Sequence, residues 1–102
     1  MTDEQFLQAV KRQVCELDPQ AEVWLFGSRA RGDARDDSDW DFFVLTDKPV
    51  NWTYKRQLRD HLYDVGFNTN HIISTIIQST KDVPFLAATD LYQNVMDEGK
   101  RL

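Results

Sequence analysis

The segment that most constrains this fold is Asp39-Trp40-Asp41-Phe42-Phe43-Val44-Leu45, where two acids alternate at the entrance to an unbroken apolar run. Phe42 to Leu45 contain no polar residue, so both faces of this strand need cover, which makes it central and buried. Side chains alternate along a strand, so Asp39 and Asp41 point the same way. Like charges that close repel each other and resist desolvation unless a cation joins them. Magnesium takes hard oxygen ligands and is commonly shared with substrate phosphates. A metal role for the pair is therefore favoured over solvated surface, the usual fate of loop acids such as Asp33, Asp36 and Asp37.

Upstream, an apolar strand over 21–26 runs into Gly27-Ser28, eleven and thirteen residues (from Ser28) before the two acids. A Gly-Ser turn offers backbone N–H groups and a hydroxyl where a phosphate can sit. Neither common phosphate fingerprint is present, because no Gly-Lys-Ser/Thr closes a Walker loop and the glycine spacing does not suit a dinucleotide fold. Arg29, Arg31 and Arg35 follow at once. On a chain of net charge −5, such a local basic cluster suits a small polyanion better than a long duplex. For Arg29 and Arg35, a solvated surface role is an equal reading. Strand, turn and acidic strand together point to nucleotide phosphoryl chemistry.

The 102 residues read as one domain, 1–102, with enough apolar content (41%) for a modest core. A first helix is expected over 2–17, opened by a Thr2/Gln5 capping box, with Phe6, Val10, Val14 and Leu17 as its apolar stripe. A short helical turn over 28–34 precedes the acidic strand, 39–46. A second long helix is expected over 52–63, capped by Asn51. Two strands, 64–67 and 71–78, would follow, joined by a hairpin turn at Asn68-Thr69-Asn70. A helical tail over 83–98, breakable near Thr89, would end at Gly99. The order α-β-α-β-α-β-β-α predicts an α/β (α+β) domain, a mixed sheet of about four strands with helices mainly on one face.

One cysteine, no membrane-length apolar run and no signal-like start place the chain in the cytoplasm by expectation. Cys15 is expected as a buried structural thiol. Trp24, Trp40 and Trp52 should pack the core, with Trp40 turned away from the acids. His61 is expected on a solvated helix face, and no histidine or cysteine cluster suits zinc.

Gly27-Ser28, Arg31-Gly32 and Ser38-Asp39-x-Asp41 at this spacing resemble the signature of the polymerase-β-type nucleotidyltransferase superfamily. The nearest likeness is to its minimal nucleotidyltransferase (MNT) branch in bacteria and archaea. The motif covers about residues 25–45, and the element order extends it over most of the chain. The resemblance implies a polymerase-β-like fold and transfer of a nucleoside monophosphate, in the favoured version AMP from ATP, onto an acceptor hydroxyl. It implies that Asp39 and Asp41 hold one or two Mg2+ ions, that Gly27 and Ser28 grip the β and γ phosphates, and that Arg31, with Arg29, neutralises phosphate charge. Ser38 would orient the loop beside the nucleotide. Catalytic relatives add a third carboxylate on a neighbouring strand, and the candidate is Asp64, for which a helix-end or turn aspartate is the equal alternative. The acceptor site would come from a partner, an oligomer or a docking protein substrate. A different class of function is also implied: an antitoxin or interaction module that binds a helical HEPN partner with weak or no catalysis. An exposed apolar face around Phe85, Leu86, Leu91, Tyr92 and Val95 would favour that reading. A degenerate nucleotide-binding regulator is the third.

Overall fold

In the computed structural model, which describes residues 2–102, Thr2 opens α1 (Asp3–Leu17) as a capping box. The Thr2 N–H donates to Gln5 Oε1 at 2.9 Å and the Gln5 N–H donates to Thr2 Oγ1 at 3.1 Å, satisfying two amides that the helix start would otherwise leave bare. The buried stripe is Phe6, Ala9, Val10 and Val14. Asp18 ends α1, and β1 (Glu22–Phe26) follows.

Next come the four-residue α2 (Ser28–Arg31), the central β2 (Trp40–Thr46), α3 (Trp52–Thr69) and β3 (Ile73–Ser79). A 3-10 turn at Thr80–Asp82 leads into α4 (Val83–Leu86), α5 (Asp90–Glu98) and a two-residue β4 (Lys100–Arg101). The sheet order is β3-β2-β1-β4, with β2–β3 parallel and both β1 pairings antiparallel. A parallel pair needs a long crossover, and α3 supplies it.

The expected strand over 64–67 does not form; those residues are the last turns of α3. Val65 and Gly66 continue the inward stripe of Tyr54, Leu58 and Leu62, so burial on a helical period overrides the strand preference of Val65 and Phe67. Asn70, at φ 57°, then caps the helix in the left-handed region, its N–H reaching the Gly66 and Phe67 carbonyls. The helical tail divides as expected at Thr89, whose Oγ1 accepts from the Tyr92 N–H at 3.2 Å. β4 is an element the sequence did not suggest, because two exposed basic residues carry no strand pattern.

The long helices α1 and α3 share one sheet face, over Val23, Leu25, Trp40, Phe42, Val44 and Ile77. Phe6 is fully buried there and meets Trp40 edge-on at 4.9 Å between centroids. Asp18, 1% exposed, is kept among these side chains by two donors, Thr46 Oγ1 at 2.5 Å and the Tyr54 hydroxyl at 3.0 Å. The other face holds Phe43 and Leu45 beneath Val95 of α5, with Trp24, Phe26, Leu91, Tyr92 and Met96 around them. The apolar residues of α5 are thus largely core, while Phe85 stays exposed. Trp52 is exposed as well, against expectation, because it begins α3 on the flank away from α1. Cys15 is half-buried, and His61 bonds Gln13 of α1 through Nδ1 at 3.1 Å. Among the described residues no helix is long and apolar enough to cross a membrane.

Candidate functional site

Asp41 is the second residue of β2, and its neighbours Trp40 and Phe42 point into the α1/α3 core. Alternation therefore turns Asp41 to the opposite face, the one α5 covers only in part, and Asp39 just before the strand turns with it. Across the sheet Asp41 stands between Phe26 of β1 and Ser74 of β3. Burial first, and repulsion from Asp39 second, raise the Asp41 carboxyl above its ordinary range, while the Arg31 guanidinium opposes them. Two hard carboxylates, one of them short of water, form a donor set that suits a magnesium ion whose other positions go to water and phosphate.

Gly27 is fitted to this carboxylate. Its φ of 77° and ψ of −157° lie in a region open essentially to glycine alone. A Cβ added there would stand 2.5 Å from Asp41 Oδ2. The backbone of the turn thus lies directly against the acid. The turn continues into α2, where the Ala30 and Arg31 N–H groups both donate to the Gly27 carbonyl at 3.1 Å, while the first amides, at the half-buried Ser28 and at Arg29, precede any helical acceptor. Hydroxyl, amides and carboxylates consequently share one corner of the domain.

Arg31 is exposed and held over this corner by Asp33 and by Glu98 at the end of α5, each at 3.3 Å. Arg29 is engaged elsewhere. Its guanidinium lies 4.6 Å from the Trp40 ring centre and donates to the carbonyls of Asp36 and Ser38 at 3.1 and 2.9 Å. Ser38 folds the loop, its Oγ accepting from the Arg35 N–H at 2.9 Å. Arg29 and Ser38 thereby fix the loop that leads into Asp39.

Asp64 is not brought to this corner. It is exposed on α3, whose packing lies on the sheet face opposite Asp41, so the expectation of a third metal-binding or catalytic carboxylate there is corrected. That expectation depended on a strand beginning at Asp64, and the helix removes the strand. Among the described residues no group of three or more acids, histidines or cysteines gathers as a metal cluster. The β3 residue in register with Asp41 is the exposed Ser74. Sequence reasoning missed Ser74 because its importance comes from strand register, which only the parallel pairing to β2 defines.

The family model described as "Nucleotidyltransferase domain" matches residues 7–99. No curated protein matches the sequence significantly. Among solved structures, the chain is similar to a toxin–antitoxin crystal structure with AMP-PNP, at 19% identity and a TM-score of 0.66, covering 98% of this chain and 72% of that one. It is also similar to a complex of tri-AMPylated Shewanella oneidensis HEPN toxin with MNT antitoxin (16% identity, TM-score 0.63, covering 98% and 71%). A mutant of the toxin–antitoxin pair MntA-HpeT aligns at 16% identity and TM-score 0.61, over 99% and 72%. At such identities these structures establish the fold, a polymerase-β-like mixed sheet with its helices.

Proposed function

The chain belongs to the nucleotidyltransferase domain family, and from that premise we propose that it moves AMP from ATP onto a hydroxyl of a partner protein. The observation that carries this reading is the Asp39/Asp41 pair seated against the Gly27-Ser28 turn, with Asp41 Oδ2 in the space a Gly27 side chain would need. Asp39 and Asp41 would hold Mg2+. When bound, the ion supplies positive charge beside the phosphoryl group being transferred.

The chain's own groups then have distinct tasks. Ser28 and the amides of its turn bind the β and γ phosphates, and Gly27 lets the backbone come close enough to do so. Arg31 adds a guanidinium on the same side. The acceptor oxygen attacks the α phosphorus, a new P–O bond forms, the bond to the β phosphate breaks, and pyrophosphate departs. The hydroxyl proton leaves to water through the open face, since Ser74 stands where a basic carboxylate on β3 would be. Turnover is accordingly slow. The acceptor is a protein, with a HEPN-type helical toxin as the partner class, a reading supported by the toxin–antitoxin complexes to which this fold is similar.

The same Ser74 favours a second reading, in which the domain acts as an antitoxin chiefly by binding its partner and nucleotide. Two measurements separate the readings and test the first. Titration with magnesium and ATP should give metal-dependent binding in the wild type and none in Asp39→Ala/Asp41→Ala. Equal binding by both proteins would sink the site. Label from α-phosphate-labelled ATP should then appear on the helical partner, whereas binding without transfer would leave the interaction module.

A further inference from the structure

Asp39 lies one residue before Trp40, the first paired position of β2, so strand pairing does not hold it directly. Its two neighbours do. The Trp40 N–H donates to the Ile72 carbonyl at 2.8 Å, and the Trp40 ring, 4% exposed, meets Phe6 at 4.9 Å and His71 at 5.4 Å. Ser38, on the other side, belongs to a loop whose Asp36 and Asp37 are exposed. Its N–H donates to the Arg35 carbonyl at 3.0 Å, a bond within the loop itself.

Arg29 joins these two neighbours. Its guanidinium lies 4.6 Å from the Trp40 ring centre, and its Nη2 donates to the Ser38 carbonyl at 2.9 Å and the Asp36 carbonyl at 3.1 Å. One planar cation thus spans from the residue before Asp39 to the residue after it. The seat carries a cost, because Arg29 Nε and Trp40 Nε1 are buried without a hydrogen-bond partner among the described residues. An arginine kept only for surface charge would turn its head to water instead. Trp40 points into the α1/α3 core and Asp41 to the opposite face, so the guanidinium sits on Trp40's side of β2. The arginine whose charge reaches the Asp41 carboxyl is Arg31.

We propose that Arg29 is a positioning residue for the Asp39 carboxylate, acting through the backbone on either side of it and not on nucleotide phosphate. Arg29 has this role only if Asp39 and Asp41 are the metal pair proposed above. Groups that orient metal ligands typically govern about 10–100-fold of metal affinity. Without Arg29, Ser38 keeps its bonds inside the loop alone, and the Asp39 backbone pivots about Trp40. The carboxylate then leaves its place beside Asp41, and the ion loses one of two oxygen donors.

Charge and position predict opposite signs. Removing a nearby cation strengthens the pull of two carboxylates on a metal ion, whereas releasing Asp39 weakens it. Titration of the full 102-residue chain with Mn2+ alone, followed by the paramagnetic resonance signal of the free ion, reads that sign. Arg29→Ala should weaken Mn2+ binding about tenfold or more. Arg35→Ala, which removes an exposed arginine from the same loop, should leave it equal or tighter. Arg29→Lys keeps the charge but ends one bond short of the two carbonyls. It should keep the wild-type circular dichroism spectrum yet also bind Mn2+ more weakly, and it decides the matter if Arg29→Ala does not fold. Hydrogen exchange at the Ser38 amide should quicken about tenfold in the Arg29 variants while the Trp40 amide is unchanged. Arg29 variants that hold Mn2+ as tightly as Arg35→Ala, and lose affinity only for a non-hydrolysable ATP analogue, overturn the proposal and make Arg29 a phosphate ligand. That result leaves the metal pair standing. If Asp39→Ala/Asp41→Ala takes up Mn2+ like the wild type, or the wild type takes up none, the metal pair itself falls and the role of Arg29 with it.

Discussion

Replacing Gly27 with alanine tests the site at its tightest point. The backbone angles alone, φ 77° and ψ −157°, cost about 1–3 kcal/mol for a residue with a side chain. The new Cβ would also stand 2.5 Å from Asp41 Oδ2, well inside contact distance. A carboxylate is the free end of a side chain and swings aside for about 1 kcal/mol of rotamer strain. Gly27→Ala is therefore expected to lose about 2–4 kcal/mol of stability yet remain folded, with Asp41 turned out of its ligating position. Gly32→Ala is the control. It has a similar φ of 83°, but nothing lies within 4 Å of its added Cβ, so it should lose only about 1–2 kcal/mol and keep its binding. Urea denaturation measures the first quantity, and calorimetric titration with magnesium and a non-hydrolysable ATP analogue measures the second. In an Asp41→Ala background the extra cost of Gly27→Ala over its backbone penalty should disappear, a coupling of about 1 kcal/mol. The reasoning fails if Gly27→Ala binds magnesium and nucleotide like the wild type, or if its cost is unchanged when Asp41 is gone.

Three further outcomes follow from Tyr54 and Arg31. Burial, with Asp18 beside it, pushes the Tyr54 hydroxyl up to about 12 from its ordinary 10.0, despite an opposing contribution from Thr46. The native state then holds a proton that the unfolded chain releases, so stability should fall as pH rises from about 10 toward 12; Tyr54→Phe should flatten that fall, and equal alkaline loss in both proteins would contradict it. At neutral pH, Tyr54→Phe should cost about 1–2 kcal/mol by removing one donor from the buried Asp18 carboxylate. Arg31→Ala removes an exposed side chain whose ion pairs add little to stability. Its melting temperature should match the wild type while triphosphate binding weakens, and undiminished nucleotide affinity would remove Arg31 from the site.

Much of this architecture was legible because local signals agreed with burial. The capping box at Thr2, the cap at Thr89, the apolar run after Asp41 and the turn at Gly27 each reflect a short-range constraint that holds whatever surrounds it. The 64–67 segment was misread because Val65 and Phe67 suit a strand in isolation. Leu58, Leu62 and Val65 suit a helix only once the sheet beneath them defines an inward side.

By itself, the amino-acid sequence determined that Asp39 and Asp41 share a face and that Gly27-Ser28 precedes them on a strand-to-helix turn, since alternation and glycine's backbone freedom are properties of neighbouring residues. Tertiary structure alone decided which face that was, that Asp41 lies against Gly27, and that Ser74 is its cross-strand neighbour while Asp64 stands on the far side. It also sent Arg29 to Trp40 and Arg31 to Glu98. These relations join residues far apart in the chain, and they exist only after strand register and helix packing have been set.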